Sequence, residues 1–161
     1  MFYVFCCMLY TCFMDRIENR KAKMEYEILE TYQAGLVLSG REVKSIRSGK
    51  ASLVGSYAKI YGNEAWLVNA QIAPYQEKNT PKEYDPLRAR KLLLQKKEIQ
   101  GLIGKTKEKG LSLIPLQIFE KGGKIKIDIA LARGKKQYDK RETIKKRETK
   151  RTMERYIKGS N

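Results

Sequence analysis

The residues best suited to chemistry lie at the C-terminus, where cationic side chains crowd together. Residues 135–161 contain 11 Lys and Arg against 4 Asp and Glu, a net charge of +7 out of +16 for the whole chain. Their large apolar side chains are too few and too scattered to form a stripe that faces a core. The Glu142/Lys146 pair at i,i+4 permits a helix, but a helix that cannot bury itself needs a partner. At this charge density, the expected partner is a polyanion.

Side chains that usually carry out catalysis are scarce in the rest of the sequence. The chain contains no histidine, which removes the usual general base at neutral pH and the commonest metal ligand. Its carboxylates occur singly among lysines, whereas metal-dependent nucleases need several that converge. The three cysteines, Cys6, Cys7 and Cys12, suit neither a disulfide framework nor a metal site. The sequence therefore predicts a protein that is not an enzyme and that needs no cofactor or metal.

Residues 1–14 form a segment unlike the rest of the chain. Met1–Phe13 carry no charge and are almost wholly apolar. The segment is shorter than the ~20 residues of a spanning helix, and it lacks the basic region and cleavage site of a secretory signal. We predict an apolar N-terminal extension that is not part of the fold, for which translation from Met14 is one explanation. A loose apolar anchor and an extension of the core are the alternatives.

The remaining pattern is that of a small β-rich domain. Alternation with period two predicts strands, and the turns at Gly62-Asn63 and Gly122-Gly123 predict two hairpins. Ser39 and Glu42 form a capping-box pattern that opens a short helix, which continues to about Ser48. One bent strand or two short ones are expected at 24–38, and single strands at 56–61, 64–69, 111–119 and 124–131. A second helix is expected at 96–109 and a long loop at 73–90.

This order of elements predicts the fold class and the domains. The protein should be mainly β, a small antiparallel OB-type barrel with inserted short helices and a basic, disordered C-terminal tail. The barrel is predicted over residues 15–134 and the tail over residues 135–161. A length of 161 residues suits one such domain with an appendage.

Several residues allow both a structural and a functional explanation. Glu42 suits the third helical position of the capping box, but a carboxylate can also accept from a guanine edge or a ribose hydroxyl. Leu92–Leu94 are expected in the core, with one leucine free to meet a stacked base. Asn19–Lys21 form either a solvated segment or phosphate contacts beside the barrel. The residues alone leave these alternatives open.

Six motifs occur in a fixed order between Asn19 and the C-terminus. They are Asn19-Arg20-Lys21-Ala22, Gly40-Arg41-Glu42-Val43-Lys44-Ser45-Ile46-Arg47, Ser56-Tyr57-Ala58, Pro74-Tyr75, Arg90-Lys91-Leu92-Leu93-Leu94, and Gly134-Lys135-Lys136-Gln137-Tyr138-Asp139-Lys140-Arg141-Glu142. Together they resemble the SsrA-binding protein (small protein B) family of bacterial trans-translation. Residues 1–13 lie outside the resemblance.

The resemblance implies a fold, a function and partners. It implies an OB-type barrel that binds the tRNA-like domain of transfer-messenger RNA and brings this RNA to stalled ribosomes, together with elongation factor Tu. It also implies a cytoplasmic protein with no membrane partner, whose tail is loose when the protein is free. On the ribosome the tail would become helical in the empty mRNA channel near the decoding centre, where it would contact small-subunit ribosomal RNA.

The resemblance also carries site residues onto this chain. Positions linked to RNA in the family fall on Asn19, Glu42 and Leu92–Leu94, and basic residues of the same motifs join them. The predicted RNA-binding residues are Asn19, Arg20, Lys21, Glu42, Lys44, Arg90, Lys91, Leu92, Leu93 and Leu94. The predicted ribosome-binding residues of the tail are Lys135, Lys136, Tyr138, Asp139, Lys140, Arg141, Lys145, Lys146 and Arg147. The chain departs from the family at Met24, Gln71, Tyr84 and Gln95, near which the family usually has histidines.

Two other functions remain as alternatives at this point. A generic basic OB protein would bind any RNA, or another polyanion, without preference between a tRNA-like fold and unstructured RNA of equal length. A nuclease, the less favoured alternative, would cleave labelled RNA in the presence of Mg²⁺.

Overall fold

The computed structural model describes residues 16–76, 81, 83–106, 110–135, 149 and 152–153. Seven strands within these residues form the main sheet, and two further strands and three helices accompany them. The seven are β1 (Ile17–Glu18), β2 (Tyr26–Leu36), β4 (Tyr57–Tyr61), β5 (Glu64–Val68), β7 (Arg90–Leu93), β8 (Leu111–Lys121) and β9 (Lys124–Gly134). The others are β3 (Ala51–Ser52), β6 (Gln71–Ile72), α1 (Arg20–Glu25), α2 (Gly40–Arg47) and α3 (Lys96–Thr106).

Six of the seven strands of the main sheet close into a ring. They follow the order β8-β4-β5-β7-β2-β9, and β9 pairs with β8 to complete the ring. Every pairing in the described part of the chain is antiparallel. Strand β1 pairs with one end of β8, and β3 and β6 form a small separate sheet. The predicted small antiparallel barrel with inserted short helices is confirmed.

The strands form where apolar residues alternate with polar ones. In β9, Ile125, Ile127 and Ile129 point into the barrel and are buried, whereas the residues between them are more exposed or face a second layer. Gly122 and Gly123, with φ of 59° and 72°, form the tight turn between β8 and β9. Glycine adopts this left-handed conformation without strain, and the hairpin predicted from sequence is confirmed.

The core lies inside the ring and extends under the helices. Ile46 of α2 and Leu102 of α3 are fully buried in the same cluster as the inward side chains of the strands. A second, smaller cluster lies outside the ring, where Ala22 of α1 packs on the outer faces of β8 and β9 with Tyr26 at its side. The helices are thereby fixed to the barrel, and they orient the motif residues on them.

Five elements were not predicted from the sequence, namely β1, α1, β3, β6 and β7. Helix α1 escaped prediction because it has no apolar stripe and buries only Ala22. Strands β1, β3 and β6 are only two residues long, and each pairs with a distant segment. The loop predicted at 73–90 is shorter than expected, since Arg90 is the first residue of β7.

None of the helices in the described residues is both long and apolar enough to cross a membrane.

Candidate nucleic-acid interface

Asn19 is a buried junction rather than part of a solvated segment. Its side-chain oxygen accepts from the backbone N–H of Ala22 at 3.1 Å, which caps the N-terminus of α1. Its amide nitrogen donates to the carbonyls of Leu53 and Pro115, at 3.0 and 3.1 Å. Because only 3% of the residue is exposed, Asn19 joins α1 to β8 and to the loop before β4.

The basic residues that follow Asn19 lie on the surface. Arg20 and Lys21 are exposed, and Lys21 forms an i,i+4 ion pair with Glu25 at 3.8 Å. Lys21 also lines an open groove of about 280 Å³, together with Tyr26 and Tyr57. The cap made by Asn19 therefore holds two cationic side chains in positions where they can meet phosphate.

The capping box predicted at the start of α2 is present. Glu42 Oε2 accepts from the backbone N–H of Ser39 at 2.8 Å, and the Ser39 hydroxyl accepts from the backbone N–H of Glu42 at 3.4 Å. The structural explanation of Glu42 is thus confirmed. Lys44, two residues further along α2, is exposed.

Glu42 also binds two arginines, and this was not anticipated. Arg90 Nε donates to Glu42 Oε1 at 2.8 Å, and Arg88 Nε donates to the same oxygen at 3.0 Å. The second guanidinium contact of Arg88 goes to Oε2. Glu42 and Arg90 are fully buried, whereas 41% of the Arg88 side chain is exposed. The cluster therefore reaches solvent through Arg88.

The ionised form of Glu42 is strongly favoured. Burial by itself would raise the pKa of Glu42, because a charged carboxylate loses its hydration. The hydrogen bonds from Arg88, from the backbone of Ser39 and from Arg90 outweigh this effect and lower the pKa from 4.5 to about 2. The hydrogen bond to Glu42 in turn raises the pKa of Arg88. At neutral pH the Glu42 carboxylate is therefore ionised, and it supplies the negative charge that the buried guanidinium of Arg90 needs.

Arg90 uses its remaining nitrogens to hold the chain that precedes β7. It donates to the carbonyls of Ala70 at 2.5 Å, Pro86 at 2.9 Å and Arg88 at 3.1 Å. The hydroxyl of Tyr84 donates to the carbonyl of Ile72 at 2.8 Å. These bonds fasten the described part of the long loop to β6 and fix where β7 begins.

The motif on β7 alternates between the two faces of the barrel wall. Leu92 points into the core and is 2% exposed, whereas Lys91 and Leu93 point outward. Lys91 forms an ion pair with Glu64, and 55% of Leu93 is exposed. Leu93 lies against Gly35, where an added Cβ would meet the Cβ of Leu93 at 3.3 Å.

Leu94, just beyond β7, is partly buried against the core cluster. The expectation that one leucine of the run is free for a partner therefore corresponds to Leu93 in this structure. Whether a base meets it stays a prediction.

The predicted RNA-binding residues separate into two classes by exposure. Arg20, Lys21, Lys44 and Leu93 are exposed, and Lys91 is partly exposed. Asn19, Glu42, Arg90 and Leu92 present no more than 3% of their surface to solvent, and so they offer almost nothing for direct contact in this conformation. A link between these buried residues and RNA stays a prediction, and the structure shows them positioning their exposed neighbours.

Most of the tail lies outside the described residues. Lys135 is the exception among its predicted ribosome-binding residues, and its backbone N–H donates to the carbonyl of Glu25 at 2.9 Å. The tail therefore leaves the barrel beside the C-terminus of α1. Predictions for the other tail positions lie outside the described residues, namely Lys136, Tyr138, Asp139, Lys140, Arg141, Lys145, Lys146 and Arg147.

Arg88 is the residue of this site that sequence reasoning missed. Its spacing from Arg90 was an available signal, because residues two apart in extended chain share one face. Both arginines bind one acidic residue 46 and 48 positions away, and no local pattern shows that pairing. Among the described residues, no group of three or more His, Cys, Asp or Glu could hold a metal ion.

Comparison with known proteins identifies the family. The family described as SmpB protein matches residues 16–159 of the chain. The chain belongs to the SmpB family. A relative from Thermosynechococcus vestitus named SsrA-binding protein is 54% identical over 141 residues, which is 88% of this chain and 93% of the relative. An SsrA-binding protein from Trichodesmium erythraeum is 55% identical over 141 residues, with 88% of this chain and 90% of the relative covered.

A solved structure agrees with the SmpB assignment. It is described as "tmRNA-SmpB: a journey to the center of the bacterial ribosome". One of its chains matches with a TM-score of 0.65 and 46% identity, covering 80% of this chain and 94% of that chain. The SmpB match thus extends across the barrel and the elements that carry Asn19, Glu42 and the β7 motif.

Proposed function

We propose that the protein binds transfer-messenger RNA, also called SsrA, and delivers it to stalled ribosomes for trans-translation. The observation that carries the proposal is the match to the SmpB family over residues 16–159, with relatives named SsrA-binding protein at 54–55% identity. The solved neighbour described as tmRNA-SmpB supports the same partner and the ribosome. The barrel carries exposed basic residues, which an RNA-binding protein needs for contacts with phosphates.

The residues take two roles in the proposal. Arg20, Lys21, Lys44 and Lys91 contact phosphates, because they are cationic and wholly or partly exposed. Leu93 offers an apolar contact on the outer face of the barrel. The buried residues Asn19, Glu42, Arg90 and Leu92 hold these side chains in place through the cap, the ion cluster and the core. In this division, the buried residues affect RNA binding only through the fold.

The tail extends the proposal to the ribosome. Residues 135–161 carry +7 and lack a core-facing stripe, so we assign them to contacts with small-subunit ribosomal RNA in the empty mRNA channel. They become helical there, since neutralised cations no longer repel one another. Residues 15–134 form the RNA-binding domain, and residues 1–14 are an extension without a role in it. The protein acts in the cytoplasm, without catalysis or cofactor, in a complex that includes elongation factor Tu.

Co-purification tests the proposal directly. The protein is isolated from cell extract and the bound RNA is sequenced. We expect transfer-messenger RNA to be strongly enriched. Recovery of RNAs in proportion to their abundance would instead support a generic RNA-binding protein.

A competition assay provides the quantitative version. A labelled tRNA-like RNA is displaced by unlabelled tRNA-like RNA or by unstructured RNA of equal length. We expect the tRNA-like competitor to be much the stronger, and the affinity to fall steeply with salt, with a slope of roughly −0.7 to −0.9 per neutralised phosphate. Equal competition would contradict the proposal.

A further inference from the structure

The outer face of the β4–β5 hairpin carries exposed aromatic and basic side chains, and one of them, Tyr57, also lines the groove beside Lys21. On β4, Tyr57, Lys59 and Tyr61 point outward, because Ala58 between the first two is buried. The register places Lys59 opposite Trp66 of β5. We call the four outward residues Tyr57, Lys59, Tyr61 and Trp66 the stacking face.

The stacking face continues into the β7 motif. Trp66 pairs with Lys91 on its other side, so Lys59, Trp66 and Lys91 form one row across three strands. Two residues further along β7, Leu93 is exposed on the same outer surface. The hairpin thus borders the residues already proposed to meet RNA.

The exposure of the two tyrosines exceeds what a structural role needs. Tyr57 is 45% exposed and Tyr61 is 55% exposed, although both lie on a regular strand with a well-packed inner face. Tyrosine favours strands, and cross-strand contacts stabilise a hairpin, but neither effect requires that the aromatic rings be exposed to solvent. Lys59 Nζ lies 4.7 Å from the centre of the Tyr61 ring, so this cation is held over one of the two exposed rings.

Aromatic rings alternating with cations on a sheet face match unpaired RNA. Every base has a π-face that stacks on an aromatic ring, and the phosphates between bases meet the cations. The net charge of the chain, +16, favours a polyanion as the partner of this face over the acidic or neutral surface of another protein. Duplex RNA cannot use this face in the same way, because its bases are already stacked on one another.

We propose that the stacking face binds unpaired nucleotides of the RNA, with bases stacked on Tyr57 and Tyr61 and a phosphate bound by Lys59. This inference rests on the proposed function and names the class of RNA element that the barrel recognises, namely a single-stranded loop. At ~3.3 Å per residue, the Cα atoms of Tyr57 and Tyr61 lie about 13 Å apart along β4, so each ring engages a separate base. Lys59 moves from the Tyr61 ring to the phosphate when RNA binds.

Single threonine variants test whether the rings of Tyr57 and Tyr61 contribute to RNA binding. Tyr57→Thr and Tyr61→Thr keep a strand-forming residue, so thermal unfolding should change little. We expect each to weaken binding of a tRNA-like RNA with open loops by roughly tenfold, with the salt dependence unchanged. Tyr75→Thr is the matched control, since Tyr75 is 39% exposed but lies in the loop after β6. Unchanged affinity in Tyr57→Thr and Tyr61→Thr would overturn the stacking proposal and leave RNA binding by the barrel intact.

Replacing Lys59 should change the salt dependence of RNA binding, which the ring substitutions leave unchanged. Lys59→Gln should reduce the magnitude of the salt slope by roughly 0.7, the value for one phosphate of a single strand. Tyr61→Phe should bind like the original chain, because the ring remains. An unchanged slope in Lys59→Gln, or a loss in Tyr61→Phe, would contradict the assignment of a phosphate to Lys59 or of a base to Tyr61.

The single tryptophan of the chain reports on this face without any substitution. Since Trp66 lies opposite Lys59, its fluorescence should change when the full chain binds an RNA with unpaired loops. A blunt RNA duplex of equal length should bind more weakly and should leave the emission unaltered. A response to phosphatidylglycerol vesicles but not to RNA, or an equal response to loop and duplex, would refute the proposal.

Discussion

Replacing Glu42 by glutamine should destabilise the barrel. Glutamine at the third helical position still completes a capping box with Ser39, so the substitution removes the charge and keeps the cap. What it leaves is Arg90, fully buried, with no carboxylate within reach of its Nε. An uncompensated buried charge is among the costliest defects in a protein interior.

The magnitude follows from two independent estimates. Removing one partner of a buried ion pair typically costs about 3–5 kcal/mol. A pKa lowered from 4.5 to about 2 corresponds to about 3 kcal/mol of stability at neutral pH. A loss of about 3 kcal/mol is a large part of the total stability of a small domain. It should lower Tm by roughly 10 °C or more.

The loss should depend on pH in a defined direction. Because the folded-state pKa of Glu42 lies below its unfolded value, its charge stabilises the protein above about pH 4.5. This contribution disappears as the pH falls from there to about 2, where the carboxylate becomes protonated in the folded state. The original chain and Glu42→Gln should therefore differ most at neutral pH and converge towards pH 2.

Urea unfolding at several pH values measures this difference. The control is Glu18→Gln, which removes an exposed ion pair with Lys23 and should cost less than about 1 kcal/mol. RNA affinity, corrected for the folded fraction, should change little in Glu42→Gln. If stability at pH 7 is unchanged and the affinity falls, Glu42 contacts RNA directly and the burial argument is refuted.

Three further predictions concern the ends of the barrel. Asn19→Ala should lower the free energy of unfolding, measured in urea, by about 3 kcal/mol, because it removes the cap of α1 and leaves the carbonyls of Leu53 and Pro115 without donors. A loss below about 1 kcal/mol would contradict this. Truncation before Gln137 should keep RNA affinity within a few-fold but abolish rescue of stalled ribosomes in a translation assay, and a large loss of affinity would show that the tail binds the same RNA. Deletion of residues 1–13 should leave fold and RNA affinity intact and improve solubility, measured by sedimentation, because it removes an apolar run.

Local patterns predicted the hairpins and α2 because their causes are local. The glycine pair at Gly122-Gly123 selects a tight turn, and Ser39 with Glu42 selects a helix start. Both causes act within four residues, so they can be recognised in the sequence. Helix α1 has a local cause as well, the cap of Asn19, but its six residues lack an apolar stripe, and the prediction failed there.

The role of Arg90 was beyond prediction because its cause is not local. In the sequence it is the first cation of a basic motif, and a cation in such a motif suggests contact with phosphate. In the structure it is fully buried, and its counter-charge, Glu42, is 48 residues away. Only the folded structure, in which Arg90 of β7 reaches the N-terminus of α2, shows that this charge is already neutralised.

The positive charge of the barrel and that of the tail act separately. Residues 135–161 carry +7 of the total of +16, and residues 1–14 carry none, so +9 remains on residues 15–134. An ion pair such as Arg90–Glu42 adds nothing to this net charge, so the charge of the barrel is carried by exposed cations such as Lys44 and Lys59, which can act on RNA. These cations lie in the described part of the chain before the tail, so the barrel has a basic surface of its own. The barrel should then bind folded RNA without the tail, and the charge of the tail is available for a second polyanion.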